Sequence, residues 1–102
     1  MKNIKDKVYE KTTQITRGKV TTYKRLAQAA GLNCPRVVGN LLHRNPDPGT
    51  IPCHRVVNAK GKLAKNFGLG GCQGQAKKLR NEGVEVINDT VDLSRYLDKN
   101  LK

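Results

Sequence analysis

The residues best equipped for chemistry stand together at Pro52, Cys53 and His54, inside the stretch "IPCHRVVNAKG" that runs from 51 to 61. A cysteine beside a histidine has three ordinary uses: a nucleophile with its base, part of a metal site, or a small buried apolar residue. A free thiol with a pKa of about 8.5 is only a few per cent thiolate at neutral pH, so a nucleophile here needs a base and a positive field. Both are present, since His54 adjoins Cys53 and the charge around them is almost all positive. Adjacent side chains of an extended chain point to opposite sides. His54 therefore reaches Cys53 where the backbone turns, which Pro52 favours, or through a water molecule. A histidine base also needs an acid on its other ring nitrogen. Asp47 lies just upstream, and Glu82 is the first acid after a long cationic stretch, so residue logic offers Glu82. Zinc binding through Cys34, Cys53, Cys72 and a histidine has none of the common ligand spacings.

The elements that must position these residues follow from apolar spacing and punctuation. Residues 4 to 16 read as a helix with Ile4, Val8, Lys11, Thr12 and Ile15 at helical intervals, stopped by Gly18. "VTTYKRLAQAAG" reads as a second helix, capped by Thr21 or Thr22 and closed by Gly31, with Tyr23, Leu26, Ala27 and Ala30 on its stripe. After the turn "GLN", "CPRVVGNLLHRN" reads as a third helix that Pro35 starts. Two short helices joined by a glycine-containing turn make a helix-turn-helix pattern. On the third helix Val38, Leu41 and Leu42 share one face; Arg36, Asn40 and His43 share the other, with Gly39 beside them. That outer face carries one long cation and little bulk, so it can approach a nucleic-acid surface closely.

"NPDPGTIP" is a rigid connecting loop, and "CHRVVNAKGKLA" reads as a turn followed by a short strand or hairpin containing Val56 and Val57. "NFGLGGCQG" is glycine-rich and reads as a mobile loop without the spacing of a phosphate-binding motif. "QAKKLRNEG" reads as a short helix ended by Gly83, "VEVIND" as extended chain, and "TVDLSRYLDK" as a terminal helix.

The 102 residues suit one domain with an aliphatic core, since there are one Phe, three Tyr and no Trp. No apolar run is long enough for a membrane span or a signal peptide, so an intracellular protein is expected, in cytoplasm, nucleoid or nucleus. Three cysteines without a C-x-x-C pair argue for reduced thiols rather than a disulfide framework. The formal charge is +12, and its distribution is sharper than its size. Between Lys11 and Asn81 fourteen Lys or Arg face a single acid, Asp47, whereas the tail beyond carries five acids and three bases. A central block of one sign suits a polyanion, with nucleic acid as first candidate.

Taken together, "GKVTTYKRLAQAAG", "PRVVG", "NPDP", "IPCHRVV" and "NEG", in this order, resemble the O6-alkylguanine-DNA alkyltransferases. The match runs from about Ile4 to Val86 and leaves 87–102 as an extra tail. The resemblance implies the C-terminal type of domain in that family: mainly α, with a winged-helix-like helix-turn-helix entering the minor groove of double-stranded DNA. It implies that Cys53 takes the alkyl group from O6 of guanine irreversibly, that His54 acts through water as base, and that Glu82 orients His54. Tyr23 matches a donor to the flipped guanine, and Asn45 a brace of the active-site turn. Leu42, Pro48 and the backbone of Cys53 and Val56 match the guanine pocket. Arg36 matches the finger that fills the gap left by the base, while Lys24 and Asn33 match DNA-backbone contacts. Val37, Gly39 and Asn40 lie on the groove-facing helix, with Val37 and Asn40 bulkier than is common there. No cofactor and no metal are implied, and the partner is DNA containing O6-alkylguanine, met by a monomer with room for cooperative loading. Extruding the nucleotide answers a physical need, because a thiol cannot reach O6 inside a stacked duplex. Larger members carry a further N-terminal domain, and the loop "AKNFGLGG" is longer than usual and lacks the serine or tyrosine often found there. Single-domain alkyltransferase-like proteins, which bind lesions and carry another residue at the cysteine position, are the alternative.

Overall fold

The computed structural model describes residues 3–65, 70–99 and 101. Helix α1 (Ile4–Thr13) starts where the Asn3 side chain accepts a hydrogen bond from the Asp6 N–H at 2.8 Å. It ends earlier than the expected residue 16, because the polar groups just beyond it find tertiary partners. The Ile15 carbonyl accepts from Arg55 Nη1 at 2.9 Å, and the Thr16 N–H donates to the Asp98 carboxylate at 2.8 Å. Val8, Thr12 and Ile15 are buried as the spacing predicts, but Ile4 is 49% exposed and takes no part in the core.

Strand β1 (Thr21–Thr22) leads directly into helix α2 (Tyr23–Ala29), whose first turn is capped by the Thr22 hydroxyl accepting from Arg25 N–H. Thr21 is thus a strand residue, and Thr22 is the cap. Gly31, at φ +79°, lets the chain reverse after α2. Helix α3 (Pro35–His43) begins at the predicted proline. It packs on α2 through Val38 and Leu42, and the Tyr9 hydroxyl donates to the Leu41 carbonyl at 2.7 Å to tie α1 alongside. This is a helix-turn-helix in a mainly helical fold.

A single 3₁₀ turn (Cys53–Arg55) follows the proline loop and runs into strand β2 (Val56–Val57). β2 is the expected short strand and pairs in parallel with β1, Thr21 opposite Val56 and Thr22 opposite Val57. Alternate strand residues face opposite ways. Val56 accordingly enters a cluster with Val8, Leu26 and Val38, while Val57 enters a second one with Val20, Leu79 and Val84. The cysteine turn therefore sits at the seam between the two cores, and burial of both valines holds it there.

Helix α4 (Gly71–Asn81) begins four residues before the expected start at Gln75 and absorbs "GCQG" from the stretch read as a mobile loop. Residues 66–69 of that stretch lie outside the described residues. Gly83, at φ +87°, follows α4 as expected. The segment "VEVIND" contributes only an isolated bridge between Ile87 and Thr90, and the terminal helix shrinks to one turn, α5 (Leu93–Tyr96). The tail is nonetheless fastened to the domain: Val20 N–H donates to the Tyr96 carbonyl at 2.8 Å, and Asp98 N–H to the Val20 carbonyl at 2.7 Å.

Candidate active site and nucleic-acid face

The proline loop delivers Cys53 in a fixed backbone geometry. Asn45, just past α3, donates through Nδ2 to the Ile51 carbonyl at 2.7 Å and accepts from Asp47 N–H through Oδ1 at 2.9 Å. One side chain thus braces both limbs of the loop. The Cys53 N–H in turn donates to the Ile51 carbonyl at 2.8 Å. The thiol is half-buried and faces a cavity of about 600 Å³.

Tyr23, Leu42, Asn45, Pro48 and Cys53 meet around that cavity, and Gly39 and Asn40 of α3 complete the near side. Several of the residues singled out in sequence are therefore brought to one place by α2, α3 and the proline loop. Val56 is the exception. Its side chain is fully buried in the first core, and its carbonyl accepts from Gln75, so it does not line the cavity. The far side is made of residues that sequence reasoning did not single out: Asn58, Lys62, Leu63, Ala64 and Lys65. Burial raises the pKa of the Tyr23 hydroxyl and the nearby Cys53 raises it further, so Tyr23, which lines the cavity, keeps its proton near neutrality.

Behind Cys53 lies a buried relay. His54 Nε2 is 2.9 Å from Glu82 Oε2, and the two side chains are 9% and 6% exposed. Arg55 grips the same carboxylate with a two-pronged contact, Nε to Oε1 at 2.9 Å and Nη2 to Oε2 at 2.7 Å. Burial works against the charge on Glu82, but the hydrogen bonds from Arg55 and His54 outweigh it and hold its pKa at about 2. An ionised carboxylate only accepts, so the proton of neutral His54 sits on Nε2 and Nδ1 carries the free lone pair. Burial lowers the pKa of His54, partly offset by Glu82, and this keeps the ring neutral near pH 7. The arrangement is a neutral imidazole held through Nε2 by Glu82, next in sequence to a thiol on a cavity wall.

Arg55 was missed in sequence because an arginine in a chain with twenty cationic residues looks like one more surface charge. The only available hint was its place beside Cys53 and His54. Among the described residues, no group of three or more His, Cys, Asp or Glu able to hold an ion occurs. Cys34 is exposed at the start of α3, and Cys72 is half-buried in α4.

The second face is the outer side of the helix-turn-helix. Arg36, Val37, Asn40 and His43 are exposed along α3, with Lys24 at the start of α2 and Asn33 in the turn between them. Asn40 also reaches the cavity, so the outer face and the site share an edge.

This combination of fold and site has a family. Residues 3–84 match the 6-O-methylguanine DNA methyltransferase DNA-binding domain, and the chain belongs to that family. A methylated-DNA–protein-cysteine methyltransferase of Pyrobaculum aerophilum is 50% identical over 71% of this chain and 38% of its own length. The alkyltransferase-like protein 1 of Schizosaccharomyces pombe is 36% identical over 83% of this chain and 80% of its own. Among solved structures, S. pombe Atl1 in complex with damaged DNA containing O6-carboxymethylguanine superposes with a TM-score of 0.86 and 31% identity, covering 97% of this chain and 99% of that one. The chain spans between 30% and 49% of the length of the curated methyltransferases it matches.

Proposed function

We propose that this chain repairs DNA by irreversible transfer of an alkyl group from O6 of guanine to Cys53, as one domain of the C-terminal type with the tail from 87 onward as an addition. The observation that carries this reading is the Cys53 thiol on the wall of a cavity with the His54–Glu82–Arg55 relay directly behind it. The substrate is a guanine extruded from double-stranded DNA into that cavity, because the thiol lies inside the protein surface rather than on the outer face of α3. Arg36 occupies the vacated place in the stack, α3 lies in the minor groove with Val37, Gly39 and Asn40 against it, and Lys24 and Asn33 contact phosphates. Leu42 and Pro48 supply apolar cavity walls.

The chemistry balances without a cofactor. His54 Nδ1 takes the thiol proton through a water molecule, and Glu82 stabilises the imidazolium that forms. The Cys53 sulfur attacks the alkyl carbon in line as the bond from that carbon to O6 breaks. The electron pair leaves with guanine, and the Tyr23 hydroxyl donates to the base as charge builds on it. The thioether product has no good leaving group, so each molecule reacts once. The protein works as a monomer on chromosomal DNA inside the cell, and its titration along DNA reads out any cooperative loading.

A second reading has its own support, the near whole-length match to Atl1. In that reading the chain binds the lesion without transferring the alkyl group. Incubation with a duplex containing O6-methylguanine, followed by intact-mass measurement, separates the two. Transfer adds one methylene to the wild type and nothing to Cys53→Ala. Lesion binding at unchanged mass would instead establish the second reading.

A further inference from the structure

Helix α4 and its capping residue Glu82 hydrogen-bond to the active-site turn at two places, and only one of them is Glu82. Seven residues earlier, two helical turns back and on the same face, stands Gln75. It is fully buried. Its Nε2 donates to the His54 carbonyl at 3.0 Å and to the Val56 carbonyl at 2.9 Å, while its Oε1 accepts from the Ala64 N–H at 2.8 Å. Both amide protons and the amide oxygen are used, and each partner is backbone. The first belongs to the turn that carries Cys53 and His54, the second to the first residue of β2, directly after it, and the third to the far wall of the cavity.

We propose that Gln75 is a positioning residue for alkyl transfer. It fixes the His54 backbone from below while Glu82 fixes the His54 ring, and it sets the distance between the thiol turn and the opposite wall. The far wall has its own local support, Asn58 Oδ1 accepting from the N–H groups of Lys60 and Lys62 at 2.9 and 2.8 Å. Gln75 hydrogen-bonds to both that wall and the cysteine turn. A helix that holds the ring of the base and its main chain at once leaves the imidazole little freedom to rotate or slide. Such restraint matters because a misplacement of about 1 Å lowers a rate by roughly 100-fold. None of these hydrogen bonds goes to α3, so the influence of Gln75 falls on the reaction rather than on DNA binding.

The inference rests on the transfer reading, and the test keeps the two apart. Gln75→Met preserves side-chain length and removes all three hydrogen bonds; Gln75→Glu keeps the acceptor for Ala64 but turns an acceptor oxygen toward the His54 and Val56 carbonyls. Single-turnover alkylation by an O6-methylguanine duplex is measured at saturating DNA, with DNA affinity measured in parallel and the wild type as reference. The expected result is a rate for Gln75→Met roughly 10- to 100-fold below wild type at unchanged DNA affinity. Gln75→Glu should be no faster than Gln75→Met, because it keeps the Ala64 contact but repels the two carbonyls that hold the turn. A wild type that gains no mass would remove the transfer reading itself. A wild-type rate in either variant, or a loss of rate and DNA affinity together, would overturn the positioning role.

Discussion

Along the outer face of α3, Arg36, Val37 and Asn40 stand in solvent, and none of the side chains of Lys24, Asn33, Arg36 and Asn40 hydrogen-bonds to another described residue. Behind Cys53, by contrast, His54, Arg55, Gln75 and Glu82 are buried or nearly so, and every one is tied to another element. The difference is between a surface that waits for a partner and a network that is already complete. Groups on the first should act nearly independently, each contributing its own contact. Groups in the second should be strongly coupled, since removal of one leaves its neighbours buried and unsatisfied.

The largest effect should therefore come from the network. Glu82→Gln leaves the Arg55 guanidinium, 14% exposed, without its counter-charge. Urea unfolding at neutral pH should show a loss of about 3–5 kcal/mol. A loss below about 1 kcal/mol would mean that the pair behaves like a surface contact and would dissolve the contrast.

Acid should sharpen the same contrast. Glu82 is held at about 2, below the ordinary carboxylate value, so its stabilisation is present above that ordinary value and is lost as pH falls toward 2. His54 has its pKa lowered by burial, so the unfolded chain gains a proton below about 6.5 that the folded chain resists, and stability also falls with acid there. The same shift keeps the base neutral, so the acid limb of the alkylation rate should lie below about 6.5. A limb at or above that value would place His54 in solvent.

On the outer face the effects should be smaller and separable. Arg36→Ala should slow reaction with a duplex by about tenfold or more while leaving reaction with free O6-benzylguanine unchanged, because only the duplex requires extrusion. Equal losses on both substrates would remove the finger role. Lys24→Ala should weaken DNA binding slightly and reduce the slope of log affinity against log salt by about 1, the signature of one phosphate contact. An unchanged slope would take Lys24 off the DNA.

The two regions also differ in how far they could be read before the structure. The helix-turn-helix was legible because its signals are local: the Thr22 cap, Gly31 at the turn and Pro35 at the start of α3 each act within a few residues. The network was legible only in part. Cys53, His54 and Glu82 were visible as chemistry, and Asn45 as a match to a known pattern, but Arg55 and Gln75 carry ordinary side chains whose roles come from long-range contacts. The first turn of α4 was hidden by Gly71 and Gly74, poor helix formers that tertiary contacts override. The parallel pairing of Thr21–Thr22 with Val56–Val57 has no local signature at all, since two-residue strands far apart in sequence show no period.

Exposure provides the most direct test of the whole account. Cys34 is exposed, whereas Cys53 and Cys72 are only partly accessible. If the relay and cavity rather than accessibility direct the chemistry, a duplex carrying isotopically labelled O6-methylguanine should place its label on Cys53 alone, as read by peptide mapping. Label on Cys34, or spread among the three cysteines, would contradict the account.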